Sequence, residues 1–306
     1  MRLQPLARAK VASLGEVGAA WAAGLPQRLE ELAQAWSLTL GRALPGGSSS
    51  YVVGARTRDG RDVVVKLALP DPDLAAQVAT LRRAAGRGYV RLLAFDAERS
   101  ALLLEALGPS LQQSVRPVAD QLRLLADTLA VAWQPAADAG DPVDPVDKAS
   151  ALHALVGRLW EELGRPCPEA VVQQALDHAE RRRDVPPAEL VVVHGDPHPA
   201  NLLAVPAPRS GAPHGWCFVD PDGFVSDRAY DLGVVLRDWS GQLSGPGGRG
   251  RLEGWCALLA ARSGVDAQRI WEWGYLERVS SGLYLTAIGA ARAGEPFLRT
   301  AELLLD

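Results

Sequence analysis

The loop at residues 194–201 has the residue types of a phosphoryl-transfer site. It reads His-Gly-Asp-Pro-His-Pro-Ala-Asn and follows the apolar run Leu190–Val193, which predicts a buried strand. Asp196 and Asn201 are five positions apart (201 − 196 = 5). In phosphoryl-transfer loops with this spacing, the aspartate receives a substrate hydroxyl and the asparagine binds magnesium. The loop therefore predicts Asp196 as the catalytic group and Asn201 as a metal ligand.

Two histidines in the same loop leave a second interpretation open, that of a zinc hydrolase. His194 and His198 are four positions apart (198 − 194 = 4), which is the spacing of two zinc ligands on a helix. Pro197 and Pro199 each cost about 3 kcal/mol or more in a helix interior, and Gly195 weakens a helix further. Zinc is therefore disfavoured, and a polar turn held by local hydrogen bonds is the simpler alternative to catalysis.

A second carboxylate lies at the end of the next apolar run, Trp216–Val219. Magnesium prefers oxygen ligands and is usually held by one or two protein groups together with substrate phosphates, a pair that Asn201 and Asp220 could supply. If residues 190–193 and 216–219 form neighbouring strands, the loops at their ends bring both ligands to Asp196. An ordinary turn is the alternative, because Asp-Pro-Asp-Gly is itself a strong turn sequence.

A lysine interrupts an upstream strand pattern, Asp62–Leu69. The chain has only three lysines, Lys10, Lys66 and Lys148, within a Lys plus Arg total of 32, so a lysine here does not reflect a general preference for that cation. Its ammonium is a compact charge suited to nucleotide phosphates, and its stem can pack on apolar surface. Lys66 is thus a candidate phosphate ligand; the alternative is a strand that carries it on a wet face.

The segment before this strand is rich in glycine and serine. Residues 45–54 read Pro-Gly-Gly-Ser-Ser-Ser-Tyr-Val-Val-Gly, and residues 58–60 (Arg-Asp-Gly) predict a hairpin turn. Glycine allows close backbone approach, and Ser48, Ser49 and Ser50 add donors, so this end of the hairpin could cover phosphates. Residues 45–54 contain no complete Gly-x-Gly-x-x-Gly, and a surface loop is an equal alternative for this segment.

The composition is that of a globular protein with one or two domains: 306 residues, 48% hydrophobic and 22% charged. A formal net charge of -4 argues against nucleic-acid binding and suits a cationic small molecule. Cys167, Cys217 and Cys256 form no disulfide framework or metal motif, which predicts a cytoplasmic protein. No signal peptide and no run of about 18 apolar residues is recognisable, so we expect no membrane span. We also expect a monomer.

The hydrophobic pattern predicts an α+β chain in which a strand-rich part precedes a helix-rich part. Helices are expected at residues 11–38, in two pieces broken near 24–26, and at 73–85. Strands are expected at 39–45, 50–57, 61–69, 89–95 and 101–105. Apart from the two strands of the candidate site, the chain after residue 108 is expected to be helical, at 117–133, 147–164, 168–183, 228–238, 251–263, 266–289 and 295–305.

The order of these features resembles the protein-kinase-like fold, with a small β-rich lobe that carries the lysine and a larger, mostly helical lobe that carries the other site residues. Within that fold the chain is similar to the aminoglycoside phosphotransferases, specifically the streptomycin 6-kinase and hydroxyurea phosphotransferase family. The segments that carry the resemblance are residues 21–26, 65–67, 90–93, 102–105, 194–201, 219–221 and 227–232.

The resemblance implies a bilobal protein that uses ATP and Mg²⁺. Residues 1–107, including the leading helices, would form the ATP-binding lobe, and residues 108–306 the catalytic and substrate-binding lobe. The adenine would lie against the linker near Glu105 and Leu107, and Lys66 would hold the phosphates.

The resemblance also implies the chemistry. Asp196 would receive the proton of the acceptor hydroxyl, while His194 and Asp231 would support the catalytic loop. The reaction would move the γ-phosphate of ATP to a hydroxyl of a streptomycin-like aminoglycoside or aminocyclitol, giving antibiotic resistance. Hydroxyurea, a sugar or an amino alcohol stays open as a different acceptor.

One departure from the related kinases concerns the partner of the lysine. Those kinases place a glutamate on the small-lobe helix to pair with it, whereas the nearest position here is Gln77, preceded by Ala75 and Ala76. A neutral amide forms no ion pair, so Lys66 is expected to be held by phosphates alone or by another acid. The departure keeps a regulatory pseudokinase open as an alternative.

Candidate acceptor-binding residues lie in the C-terminal segment Ile270–Arg278. The carboxylates of Glu272 and Glu277 could bind amines, and Trp273 could stack on a sugar ring. The simpler interpretation is a solvent-facing acidic edge with Trp271 and Trp273 in the core, because helix charges are usually solvated.

Overall fold

Two helices lead into the fold in the computed structural model, which describes residues 3–44, 49–70, 74–136 and 141–305. They are α1 (Pro5–Ser13) and α2 (Gly15–Ala35). The predicted break near residues 24–26 is wrong, since Pro26 lies inside α2. The helices separate instead at Gly15, whose φ of 58° is a left-handed conformation that glycine adopts without strain.

Helix α2 continues past Pro26 because one of its faces is buried. The buried side chains of that face are Trp21, Leu25, Leu29 and Leu32. Burial of each large apolar side chain stabilises the fold by about 1.5–3 kcal/mol. The summed stabilisation from these four side chains exceeds the cost of about 3 kcal/mol for an interior proline. The indole of Trp21 also donates a hydrogen bond to the carbonyl of Ala68 (2.8 Å), so the helix is tied to the sheet.

The small sheet has five antiparallel strands in the order β1-β2-β3-β5-β4. Helix α3 (Leu74–Ala84) lies between the third and fourth strands in the chain. The strands are β1 (Leu38–Ala43), β2 (Ser50–Thr57), β3 (Asp62–Ala68), β4 (Leu92–Asp96) and β5 (Ala101–Glu105). The strand predicted to begin at residue 89 begins at Leu92, because Tyr89 forms a bridge with Phe218 of the helical part.

Alternation along β3 decides the orientation of the lysine. Val63, Val65 and Leu67 pack in the apolar cluster that includes the buried face of α2. Side chains of a strand alternate between its faces, so Val64 and Lys66 lie on the opposite face, where both line a cavity. Lys66 is only 6% exposed, and the wet-face alternative is therefore wrong.

The rest of the chain is mainly helical, as predicted. Its helices are α4 (Val118–Ala132), α5 (Lys148–Glu162), α6 (Glu169–Arg181), α7 (Arg228–Val235), α8 (Ser240–Leu243), α9 (Gly248–Ser263), α10 (Ala267–Ala287) and α11 (Ala291–Leu303). Short 3₁₀ helices occur at Leu111–Gln113, Pro187–Glu189 and Pro199–Asn201. Within the described ranges, no helix has both the length and the apolar character needed to cross a membrane.

The two predicted site strands do not pair with each other. β7 (Leu190–Val193) lies between β10 (Phe224–Asp227) and the short β6 (Gln134–Pro135), and β8 (Leu202–Ala204) pairs with β9 (Trp216–Phe218). The pairing of residues 190–193 with residues 216–219, considered above as a condition, does not occur, because the strand that follows the loop at residues 194–201, β8, pairs with β9 instead.

The ends of these strands nevertheless meet. The N–H of Val219 donates to the carbonyl of Asn201 (2.9 Å), and Nε2 of His194 is 2.9 Å from the carbonyl oxygen of Val219. These contacts join the loop after β7 to the loop after β9. The predicted meeting of the two loops is thus correct, although it does not arise from the predicted strand pairing.

Candidate active site

A cavity of about 1150 Å³ lies between the inner face of the five-stranded sheet and the loops of the helical part. We call it the large cavity. Lys66, Asp196, Asn201 and Asp220 all line it. The structure therefore brings together the four groups that the sequence singles out from segments far apart in the chain.

Most of the residues predicted to contact the nucleotide also line the large cavity. Ser49, Ser50, Glu105 and Leu107 line the large cavity. Ser48 lies outside the described residues. Lys10, from helix α1, also lines the cavity, and its ammonium donates a 2.7 Å hydrogen bond to the hydroxyl of Ser49; nothing in the sequence reasoning assigned it there.

The carboxylate of Glu105 is engaged by the protein. Its Oε1 accepts hydrogen bonds from the side chain of Arg209 (2.6 Å) and the backbone N–H of Arg91 (2.8 Å). Arg209 also donates to the carbonyl of Tyr89 (2.9 Å). The side chain of Arg209, in the loop between β8 and β9, therefore binds the linker after β5.

Lys66 has an acidic partner in place of the missing helix glutamate. Its Nζ lies 2.8 Å from Oδ1 of Asp220 and 3.0 Å from Oε1 of Gln77. The amide of Gln77 in turn donates to the carbonyl of Pro221 (3.1 Å). Lys66 is thus paired with another acid, which is one of the two arrangements expected from the sequence. Gln77 connects helix α3 to the loop after β9.

Asn201 and Asp220 present the donors that a magnesium ion prefers. The side-chain N–H of Asn201 donates to the backbone carbonyl of Asp196 (2.9 Å), which leaves its amide oxygen as the atom able to bind a cation. Asp220 has φ 55°, an unusual conformation for a residue other than glycine, and such strain concentrates at functional sites. One carboxylate and one amide oxygen fit a hard cation.

His194 is held in place within the loop at residues 194–201. Its Nδ1 accepts the N–H of Asp196 (3.1 Å), and its Nε2 donates to the carbonyl of Val219 (2.9 Å). The ring is fully buried and packs against Tyr89 and Phe218. Burial lowers the pKa of His194 to about 4, so the ring is neutral near pH 7. Because both nitrogens bind the backbone, neither is available to zinc.

Asp231 holds the other side of this loop. Its carboxylate accepts the backbone N–H groups of His194 (2.8 Å) and Gly195 (2.9 Å) and the indole N–H of Trp133 (2.8 Å). Burial raises the pKa of Asp231 to about 6, although these hydrogen bonds act in the opposite direction. Asp231 therefore fixes the backbone at the start of this loop and does not line the large cavity.

Asp196 contacts the guanidinium of Arg237 and the imidazole of His198, two neighbours that the sequence did not predict. Nη2 of Arg237 is 2.5 Å from Oδ1, and Nε2 of His198 is 3.4 Å from Oδ2. Burial alone would raise the pKa of Asp196, but the charge of Arg237 and the hydrogen bond from His198 outweigh it and hold the pKa well below its usual range. The carboxylate is therefore ionised and fixed in orientation.

This arrangement of lysine, aspartate, asparagine and second aspartate accompanies a clear sequence relationship. Residues 35–289 match the family described as aminoglycoside/hydroxyurea antibiotic resistance kinase. The chain belongs to this family. The matched region covers most of the chain and includes every site residue described above except Lys10.

Individual relatives agree with this assignment. A streptomycin 6-kinase of Streptomyces glaucescens is 34% identical over 246 residues, which are 76% of this chain and 73% of the relative. A hydroxyurea phosphotransferase of Kitasatospora aureofaciens is 26% identical over 302 residues, 95% of this chain and 82% of the relative. Both names describe enzymes that transfer phosphate to small molecules.

A solved structure supports the fold of this family member. The aminoglycoside phosphotransferase of Streptomyces rimosus in complex with ADP and streptomycin superposes with a TM-score of 0.56 at 18% identity, covering 84% of this chain and 98% of that one. At this identity the likeness concerns the fold alone. It confirms the protein-kinase-like architecture.

A second, smaller cavity of about 200 Å³ adjoins the large one in this kinase-family chain. We call it the small cavity. Asp196 and Lys148 line both cavities, whereas Arg237, Glu277 and Tyr284 line the small one. The ionised carboxylate of Asp196 is therefore accessible from two spaces.

Of the three predicted acceptor-binding residues, the structure brings only Glu277 to the site. Its carboxylate accepts the hydroxyl of Tyr230 (2.7 Å) and lies 3.5 Å from Arg237. Glu272 lines neither cavity; it is 2% exposed and paired with arginines of helix α6 and its end. Trp273 is buried and donates to Asp227 (3.0 Å). Glu272 and Trp273 thus contribute to packing, because α10 is enclosed by other helices.

Proposed function

We propose that this family member transfers the γ-phosphoryl group of ATP to a hydroxyl of an aminoglycoside or aminocyclitol. Residues 1–107 form its nucleotide-binding lobe, and residues 108–306 form the catalytic and acceptor-binding lobe. One observation carries the proposal: the ionised Asp196 lies where the small cavity meets the large one that contains Lys66, Asn201 and Asp220. A donor and an acceptor can therefore reach the same carboxylate from two sides.

The nucleotide belongs in the large cavity. Its volume of about 1150 Å³ is large enough for a nucleoside triphosphate, and Lys66, Ser49 and Ser50 supply phosphate-binding groups. Asn201 and Asp220 would hold a magnesium ion, whose charge, when bound, offsets the negative charge of the phosphates during transfer.

The transfer step needs only a positioned acceptor. The oxygen of the acceptor hydroxyl forms a bond to the γ-phosphorus, the bond from that phosphorus to the β–γ bridging oxygen breaks, and its electron pair leaves with ADP. The hydroxyl proton moves to Asp196. Because the pKa of Asp196 is low, it is a weak base, and its main contribution is orientation of the hydroxyl with late proton acceptance. Alignment of the reactants can supply roughly 7–11 kcal/mol of the lowered barrier.

The acceptor belongs in and beyond the small cavity. Its wall carries the carboxylates of Asp196, Asp222 and Glu277, and a cationic sugar is attracted to such a wall. Tyr284 is 48% exposed at the same place, where its ring can pack on a sugar. The relatives named as streptomycin 6-kinases favour a streptomycin-like acceptor.

The protein is proposed to act as a cytoplasmic monomer. Its reaction consumes ATP, which is supplied inside the cell, and Cys167, Cys217 and Cys256 are all free thiols, as is typical of a reducing compartment. Size-exclusion chromatography with light scattering tests the monomer directly.

The test is transfer of phosphate by the purified protein with ATP and Mg²⁺. Streptomycin, other aminoglycosides, hydroxyurea and simple amino alcohols are compared by ADP release and by ³¹P NMR of the product. We expect a phosphate monoester on an aminoglycoside, abolished in Asp196→Ala. Transfer to hydroxyurea alone would replace the acceptor and leave the chemistry intact. Nucleotide binding without transfer to any acceptor would identify a pseudokinase.

A further inference from the structure

Lysine is confined to one place in this protein. The chain has 32 Lys plus Arg residues, of which three are lysines, and therefore 32 − 3 = 29 arginines. Lys10, Lys66 and Lys148 all line the large cavity, whereas none of the arginines belongs to its described lining. Two of these lysines lie at the sheet and helix α1 side of the cavity, and Lys148 lies opposite, in helix α5.

Lys148 has a position that neither of the other lysines shares. It lines both the large and the small cavity. Its ammonium lies 5.3 Å from the ring centre of Phe224 and 5.3 Å from that of Tyr230. Phe224 belongs to the wall of the large cavity and Tyr230 to the wall of the small one. The ammonium is therefore held at the boundary between the two.

Lys148 is held differently from the other two cations that border Asp196 and Asp220. Lys66 is paired with Asp220, and Arg237 with Asp196. Lys148 forms no ion pair within the part of the chain that the structure describes. Aromatic faces stabilise a cation without neutralising it, so the ammonium can attract an anion that enters the large cavity, although the carboxylates of Asp196 and Asp222 line the same two cavities.

We propose that Lys148 is a catalytic residue that binds the γ-phosphoryl group as it passes from ATP to the acceptor. The inference rests on the proposed phosphotransfer. The group moves from the large cavity toward an oxygen held at Asp196, and Lys148 lies at the boundary between the large and the small cavity. Its ammonium donates hydrogen bonds to non-bridging γ-oxygens, and the proton of the acceptor hydroxyl moves to Asp196 as before. A compact ammonium suits a group that moves, since it binds as a point charge with no required fork geometry.

Two variants isolate the charge. Lys148→Met removes the ammonium and keeps a long apolar stem, and Lys148→Arg keeps a cation of different shape. Arg158→Met is the matched control, because Arg158 is an exposed residue of the same helix that pairs with Glu162 (3.0 Å). Thermal unfolding of each variant establishes that it is folded.

The first readout is nucleotide affinity measured by calorimetry, with ADP and with the non-hydrolysable ATP analogue AMP-PNP. Lys148→Met should weaken AMP-PNP binding about tenfold, since a charged hydrogen bond is lost, and leave ADP binding unchanged. Lys148→Arg should restore part of the difference, and Arg158→Met should show none. An equal loss for both nucleotides, or no loss, would overturn the proposal.

The second readout is turnover. Lys148→Met should lower kcat on the order of 100-fold, as expected for loss of a cation that stabilises the transition state. A rise in the acceptor KM with an unchanged AMP-PNP to ADP ratio would assign Lys148 to acceptor binding and refute the proposal. If the unsubstituted protein transfers phosphate to nothing while Lys148→Met still loses γ-phosphate affinity, the proposed function fails and the site of Lys148 stands.

Discussion

Nη2 of Arg237 lies 2.5 Å from Oδ1 of Asp196, so the candidate catalytic carboxylate has a fixed cationic partner. Arg237 is itself held by Glu277 (3.5 Å), whose other oxygen accepts the hydroxyl of Tyr230 (2.7 Å). A chain of contacts thus runs from the core to the loop at residues 194–201. The side chain of Arg237 is 19% exposed, and its contacts with Asp196 and Glu277 fix its position.

Loss of Arg237 should impair turnover more than nucleotide binding. Arg237→Gln removes the charge that orients Asp196 and leaves Glu277 without its cation. We expect kcat to fall roughly 10–100-fold, because alignment of the hydroxyl is lost, while the KM for ATP changes by less than about twofold. Steady-state kinetics with a saturating acceptor measures both constants.

The control for this prediction is Arg262→Gln. Arg262 forms an ion pair with Asp127, neither residue lines either cavity, and its substitution should leave kcat unchanged. Arg237→Lys should recover part of the lost activity. Equal kcat values for the two glutamine variants would show that the contact with Asp196 has no role in turnover.

Gln77 should matter for the nucleotide rather than the acceptor. It places the ammonium of Lys66 (3.0 Å) and holds the loop of Asp220 through the carbonyl of Pro221 (3.1 Å). Gln77→Ala removes both hydrogen bonds, and we expect the KM for ATP to rise about three- to tenfold, equivalent to about 0.6–1.4 kcal/mol. The KM for the acceptor should stay constant in the same assays.

Gln173→Ala, a surface substitution on helix α6 that loses only a hydrogen bond to Asp177 (2.8 Å), is the comparison for Gln77→Ala. It should leave both KM values unchanged. An unchanged KM for ATP in Gln77→Ala would mean that the ion pair with Asp220 is sufficient to position Lys66.

The candidate catalytic groups could be selected from the sequence because local patterns mark them. A carboxylate and an amide five positions apart after an apolar run, and a lone lysine in a strand, depend on residue type and spacing alone. The family resemblance added their order along the chain. Strand pairing could not be predicted in the same way: β7 and β9 have similar apolar sequences, and only the path of the chain decides that each takes another partner.

Arg237 and Lys148 show two different limits of sequence reasoning. Arg237 lies 41 positions after Asp196 (237 − 196 = 41) and is one of many arginines, so no local pattern identifies it. Lys148 could have been noticed in the sequence because lysine is rare in this chain. Its place in the walls of both cavities, however, depends on how helix α5 packs. The roles of Glu272 and Trp273 were also decided by packing, since α10 is enclosed and a helix pattern does not reveal what covers it.

The turn at Gly195 should tolerate no side chain. Gly195 has φ 92°, and a Cβ there would lie 2.7 Å from Cβ of Asp222 and 2.9 Å from the ring of Phe224. Gly195→Ala adds both left-handed strain and a clash, so we expect a loss of about 2–4 kcal/mol in the free energy of unfolding. Urea unfolding followed by circular dichroism measures it.

Gly157→Ala, the same substitution at a different site, should raise the free energy of unfolding instead of lowering it. Gly157 lies inside helix α5, and a Cβ there meets nothing within 4 Å. Alanine is favoured over glycine in a helix by about 1 kcal/mol, so this variant should be more stable than the original. Similar effects at both positions would contradict the assigned backbone strain at Gly195.

The contributions of the buried residues His194 and Asp231 to stability should depend on pH in opposite directions. The pKa of His194 is about 4 when folded and about 6.5 when unfolded. The unfolded state therefore binds more protons between these values, and the contribution of His194 to stability is present above pH 6.5 and lost as the pH falls toward 4. The pKa of Asp231 is about 6 when folded and about 3.9 when unfolded, so its contribution is full at low pH and lost as the pH rises through 6.

Single substitutions separate the two effects. The destabilisation caused by His194→Gln should be largest above pH 6.5 and shrink by up to about 3 kcal/mol as the pH falls to 4, because the original protein loses the advantage of a neutral buried ring. The destabilisation caused by Asp231→Asn should grow over the same interval. Urea unfolding at several pH values between 4 and 7.5 measures both differences. Since each variant is compared with the unsubstituted protein at the same pH, titration of other groups cancels, and a difference independent of pH would show that His194 is not held as a neutral ring.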